Sequence, residues 1–471
     1  MSAVDSSRGD AMQCARQGAA RSRGDGYVML STMSPRLEAR SRCTRLSCAA
    51  AIGGLAFIVG CSSDEGSGGR AGAGAGGRAA NEGTAGARGA AGFGGSAGSE
   101  GIAGAAVAAG SGGMAAVGGT SGSGGAVESR SMHLGFSPWP YDATVAAVDD
   151  TYRKIAVHSD LSAHQLDSGI PWEAALTGVP YPSTVENELT DRVSRLEPGK
   201  PVYLALAPLN PMRNDLVGVW GASSNMPREG AWATRNFGSP EVEAAYGNFA
   251  LEMIDRFEPA FFNYGIEVNE LLLNNATAFD EYVDFACNVY ARIKRDHPDL
   301  PLFVSIALKH PEAPEMQVLA DRFDGLLPCT DWIGVSTYGY VFYGHADAGD
   351  PANLPESWLA QALDIAPGKP LAIAETGWIA EPLVIPTYGV DVPATEENQR
   401  VYIERMLTEA NALDARFVMW FTVVDFDPLW NGLLARDPLA HIWRDTGLYA
   451  DADSPRTGLS VWDDWLAKAT P

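Results

Sequence analysis

From about residue 131 onward the chain alternates short apolar runs with longer segments in which apolar residues recur every three or four positions. That alternation predicts βα units building a parallel sheet. Eight strands are predicted: Met132–Ser137, Lys154–His158, Val202–Leu206, Phe261–Val268, Leu302–Ile306, Trp332–Ser336, Leu371–Ala374 and Phe417–Thr422. Ser239-Pro240-Glu241 offers an N-cap and a first-turn proline to a helix whose apolar stripe is Val242, Tyr246, Phe249, Met253 and Phe257. A second stripe runs through Phe279, Val283, Ala286, Tyr290 and Ile293, and a third helix is expected from Thr395, where Glu396 and Glu397 meet the positive end of the helix dipole. The expected fold class is α/β, a (β/α)8 TIM barrel over residues 131–471. Two long segments, 160–192 and 208–237, are rich in Pro, Gly, Asn and Trp; placed after the second and third strands, they would rise over the C-terminal mouth of the barrel.

Composition changes sharply near residue 130. All 12 Trp lie beyond it, whereas Gly66 to Gly125 is almost wholly Gly, Ala and Ser and cannot bury enough apolar surface to offset the entropy of ordering. Residues 62–130 are therefore expected to be a disordered, flexible tether. Residues 1–61 are expected to be a targeting segment. Arg36, Arg40, Arg42 and Arg45 precede an apolar run from Leu46 to Val59 that is too short to span a bilayer. The run ends Ile58-Val59-Gly60-Cys61, which resembles a bacterial lipobox. By that resemblance Cys61 carries the lipid, and the protein is exported to the outer membrane or cell surface.

Residues 131–471 hold 22 Lys+Arg and 49 Asp+Glu, a balance near −27 that disfavours nucleic acid and makes a neutral glycan a better partner than a polyanionic one. Cys287 and Cys329 are the two cysteines of this region; they either pair or serve as small buried apolar residues. No Cys/His spacing of a zinc site is present, and neither a metal nor another cofactor is expected.

The candidate chemistry lies at predicted strand ends. Asn269-Glu270 closes the fourth apolar run and Glu375 the seventh, so the two glutamates are expected to converge on one mouth although far apart in sequence. Two carboxyl groups about 5 to 5.5 Å apart can cleave a glycosidic bond with retention, one donating a proton and one attacking the anomeric carbon. Asn269-Glu270, Glu375-Thr376-Gly377-Trp378, Tyr338 beyond the sixth strand and Trp420 on the eighth together resemble the signature of the clan A glycoside hydrolases. The resemblance implies Glu270 as acid/base, Glu375 as nucleophile, Asn269 on the sugar 2-hydroxyl, Tyr338 positioning the nucleophile and Trp420 as the aromatic floor. It leaves the family within the clan unassigned.

Glu267 is expected to be a buried strut. His158 is expected to bond a sugar hydroxyl, and Trp139, Trp172 and Trp378 to line sugar subsites or pack the loops. The sum is a monomeric, surface-anchored retaining glycosidase acting on a β-linked, neutral glycan. The alternative is a glycan-binding lipoprotein with a silent barrel.

Overall fold

The computed structural model describes residues 129–344 and 347–470. The targeting segment with Cys61, and nearly all of the tether, lie outside them. Eight parallel strands form one sheet: β1 (His133–Phe136), β2 (Ser162–Leu166), β3 (Val202–Leu206), β4 (Phe261–Gly265), β5 (Leu302–Ala307), β6 (Ile333–Thr337), β7 (Leu371–Thr376) and β8 (Phe417–Trp420). The hydrogen-bonded order is β1-β8-β7-β6-β5-β4-β3-β2, so the first two strands meet at the seam of a nearly closed (β/α)8 barrel. Helices α1 (Val145–His158), α2 (Ser183–Ser194), α3 (Pro240–Phe257), α4 (Val268–Asn274), α5 (Ala276–Asp296), α6 (Pro314–Arg322), α7 (Gln361–Ile365), α8 (Glu396–Ala412) and α9 (Thr457–Leu466) connect and flank the strands.

One predicted strand is a helix. Lys154–His158 is the last part of α1, and β2 follows at Ser162–Leu166, inside the segment expected to be a long loop. Ile155, Thr151 and Val148 recur at helical spacing on the buried face of α1 and Thr144 caps it, so local helical signals outweighed the β-branched content of the run.

Inward positions change character up the barrel axis. The bottom is filled by Tyr203, Phe261, Phe303, Phe417 and Trp332, packed ring against ring. Further along the strands the inward positions hold Ala205, Ala207 and Ala374, with Met419 packed over Gly135. Large side chains below and small ones above leave room for a cleft at the C-terminal mouth.

Asp160 staples the seam. Its backbone N–H donates to Leu134 O (3.0 Å) and its Oδ1 accepts from Leu134 N (2.8 Å), replacing the missing β1–β2 ladder. Arg130 donates to Oδ2 at 2.8 Å. Burial alone would raise this carboxyl, but the bonds from His133, Arg130 and Leu134 outweigh it and hold it down at about 2. A depressed carboxyl stabilises the fold above its unfolded value near 4, and that stability is lost as pH falls toward 2. Asp160→Ala is expected to cost on the order of 2 kcal/mol at pH 7 and much less at pH 2.5, read as the difference in melting temperature from wild type. An equal difference at both pH values would contradict the staple.

Cys287 of α5 and Cys329, just before β6, form a disulfide with Cα atoms 4.9 Å apart.

Candidate active site

Glu375 owes its position to a bulge. Val335 pairs with Ile373 but Ser336 with Glu375, and from the other side Val418 pairs with Ile373 but Trp420 with Thr376. One extra residue in β7 therefore lets both Ala374 and Glu375 face inward, while Thr376 turns outward to meet Tyr402 Oη at 2.6 Å. Gly377 is needed just beyond, because a Cβ there would lie 2.6 Å from Phe421 O. Tyr338 Oη donates to Glu375 Oε1 at 2.6 Å, and both groups are buried.

The charge of Glu267, which lies just beyond the end of β4, acts on Glu375. β4 ends at Gly265, where a Cβ would lie 2.3 Å from Tyr282 Oη, so only glycine lets the chain turn out of the barrel at this point. Glu267 follows in a left-handed conformation (φ 52°), its N–H donating to Ser305 Oγ at 3.1 Å, and caps α4. Glu270 lies inside α4, a turn further on, and pairs with Lys309 at 2.8 Å, both groups almost fully buried. Asn269 is clipped to the backbone: its Nδ2 donates to Ala307 O (2.9 Å) and its Oδ1 accepts from Ala307 N (2.8 Å), so it extends the β5 edge. The Asn-Glu dipeptide thus belongs to the helix that supports the mouth, and Glu267 stands where the strand delivers its side chain.

Burial, with the Glu267 and Asp167 charges behind it, pushes the Glu375 carboxyl up to about 8 against the opposing Tyr338 bond and Arg213 charge. Burial also raises Glu267, with Glu270 reinforcing the rise and Arg213 and Lys309 opposing it. Burial thus disfavours the charged form of both carboxyls, and the Glu267 charge adds to that cost at Glu375. Arg213, in the loop after β3, donates to Glu267 Oε2 from Nε (3.4 Å) and Nη2 (3.3 Å), leaving Oε1 open.

The other predicted residues divide by which way their strand or helix turns them. Trp139, beyond β1, reaches the mouth, with its ring 5.5 Å from that of Phe421. Trp420 points the other way: its ring meets Tyr402 of α8 and Trp462 of α9, and its Nε1 donates to Thr446 O at 2.9 Å. Alternation along β8 instead presents Phe417 and Met419 to the interior, and the ring beside Trp139 is that of Phe421, one residue after Trp420. Trp378 is fully buried and stacks on Tyr402 at 4.4 Å, which leaves it no face for a sugar. Trp172 is likewise fully buried, against Trp232. His158 ends α1 in the outer layer, with Nδ1 2.8 Å from Asp463 and Nε2 3.0 Å from Tyr449 Oη, so it is tied between helix and loop rather than offered to a sugar. Asp425, Asp427 and Asp445 cluster after β8, where Arg456 bonds Asp425 and Arg444 bonds Asp445 at 2.7 Å.

Sequence reasoning missed Arg213 and Asp167 and took Glu267 for a strut. Arg213 had no signal, because a loop residue with positive φ (50°) declares nothing in sequence. Asp167 was legible only once β2 was placed correctly.

No family model and no curated protein matches the chain. Among solved structures it is similar to the exo-β-1,4-mannosidase Op5Man5 from Opitutaceae bacterium strain TAV5, with 14% identity and a TM-score of 0.50, over 72% of this chain and 59% of that one. The match thus spans about three-fifths of the length of that protein. Weaker likenesses are to a glucosidase from Croceicoccus marinus (12% identity, TM-score 0.47, 72% of this chain and 68% of that one) and to the GH53 catalytic domain of Ignisphaera aggregans (16%, 0.39, 61% and 80%). At such identities the likeness is one of fold. The family stays unassigned.

Proposed function

We propose that the protein is a retaining glycoside hydrolase acting on a β-linked, neutral glycan, with Glu375 as nucleophile and Glu267 as acid/base. One observation carries this reading: the buried carboxyl of Glu375 on β7, held by a tyrosine hydroxyl, lies in the field of a second buried carboxyl, Glu267, just beyond the end of β4. The O–H of Tyr338 favours the ionised form of Glu375, the form that attacks, and the buried Glu267 carboxyl, whose proton affinity burial raises, is the proton donor. As Glu375 bonds the anomeric carbon it loses its charge. Glu267, having given its proton to the departing oxygen, is then the lone anion beside Arg213 and deprotonates the water that releases the sugar. A binding-only barrel has no use for such a pair, whose mutual repulsion costs the fold stability.

Export and anchoring through Cys61 belong to the same proposal. The Cys287–Cys329 bridge supports it, since disulfides persist in oxidising compartments. The test is a panel of β-glycans and aryl β-glycosides, with the first-formed anomer followed by proton NMR. A β-configured first product is expected. An α-configured one, or no cleavage across the panel, would overturn the assignment.

A further inference from the structure

At the ends of the two seam strands stand a buried hydrogen-bond donor with no acceptor among the described residues and a partly exposed carboxylate. Trp139 is 8% exposed, and its Nε1–H meets no acceptor there. Asp167 follows β2; Ala163 faces the interior while His164 and Leu166 pack outward, so alternation turns Asp167 toward the mouth. Its charge reaches both Glu375 and Arg213. The hydrogen bond its carboxylate does receive comes from its own backbone N–H. Its main chain is fixed, with Asp167 O accepting from Asn225 Nδ2 at 3.0 Å and Ser168 O from Asn225 N at 2.7 Å. A buried donor left unmatched costs the fold free energy unless a ligand completes it, and the carboxylate beyond β2 is free to accept from that ligand.

We propose that Trp139 and Asp167 form the glycone subsite: the indole N–H donates to, and the Asp167 carboxylate accepts from, hydroxyls of the sugar whose anomeric carbon Glu375 attacks, selecting a neutral glycone with those hydroxyls unsubstituted. This rests on the hydrolase reading above. A sugar hydroxyl both donates and accepts, so one or two neighbouring hydroxyls satisfy the pair. Phe421, 5.5 Å from Trp139 between ring centroids, supplies an apolar wall beside it. A glycone bearing its own carboxylate would face Asp167 and be repelled, because the cations whose charge reaches Asp167, Arg192 and Arg213, are already engaged by Glu188 and Glu267.

The experiment compares wild type, Asp167→Asn and Trp139→Phe on nitrophenyl β-glycosides, their monodeoxy analogues and a β-glucuronide. The same glycosides are titrated calorimetrically into Glu375→Gln protein with and without Asp167→Asn. On the preferred glycone Asp167→Asn is expected to lower kcat/KM about 100-fold and Trp139→Phe about 10-fold, with the Asp167 loss shrinking to about threefold or less on the deoxy analogue lacking the contacted hydroxyl. Equal losses on parent and every deoxy analogue, or preference for the glucuronide, overturn the subsite while leaving the hydrolase standing. Binding that depends on Asp167 without cleavage by wild type supports the subsite and overturns the hydrolase. Neither binding nor cleavage overturns both.

Discussion

Glu375→Gln is expected to reduce kcat by on the order of 10⁴-fold or more on any substrate the wild type cleaves, because no other carboxylate is placed to form the covalent intermediate. Glu375→Gly with azide is expected to give an α-glycosyl azide from a β-glycoside, the small anion taking the space of the lost side chain. The same Gln substitution is expected to stabilise the protein. Burial and the Glu267 charge raise the Glu375 carboxyl above its unfolded value, so the folded state is penalised for the charged form. That penalty is absent below about pH 4, grows as pH rises, and is complete above the raised value. The melting temperature of Glu375→Gln should therefore match wild type near pH 4.5 and exceed it near pH 8, by a stability gain on the order of 1 kcal/mol. The Gln carbonyl can still accept the Tyr338 hydrogen, so the difference isolates the charge. Undiminished turnover would refute the nucleophile, and a Gln variant less stable than wild type at pH 8 would refute the electrostatic account.

Glu267 and Glu270 are separated by a single turn of chain and should fail in opposite ways. Glu267→Ala is expected to lower kcat/KM about 10³-fold on glycosides with poor leaving groups. It should act far less on dinitrophenyl glycosides, whose departure needs no proton, and azide should then give a β-glycosyl azide. Glu270→Gln removes one member of a buried pair and leaves Lys309 facing a neutral amide, so it is expected to cost about 3 kcal/mol of stability. Its surviving folded fraction should respond to leaving groups as wild type does. Leaving-group dependence and thermal midpoints measured on both variants separate the roles. The reverse pattern, with Glu270 acting on leaving groups and Glu267 on stability alone, would restore the reading in which the residue after asparagine is the proton donor.

The difference between those two glutamates shows where pattern reading stops. A dipeptide carries no record of where its strand ends, and β4 ends at Gly265 because Tyr282 crowds the turn. Nothing local in Phe262-Asn263-Tyr264 announces a tyrosine arriving from α5. Trp420 and Phe421 repeat the lesson on β8, where a shift of one residue exchanges lumen for helix layer. Trp378 and His158 fell to a related cause: an aromatic ring or an imidazole near a strand is as useful for packing and tying helices as for holding sugar. Conversely, the apolar runs of seven of the eight strands were plain, because parallel strands buried on both faces must be continuously apolar.

Periodicity and composition sufficed to define the barrel, the stretch of chain that forms it and the β7 carboxylate, since burial imposes its pattern on every strand and helix it touches. The pairing of that carboxylate with Glu267, its inward turn through a bulge, the Arg213 contact and the Asn269 clip were set by contacts between segments far apart in the chain. Such contacts depend on register and side-chain direction in three dimensions, and neither leaves a periodic trace in the sequence.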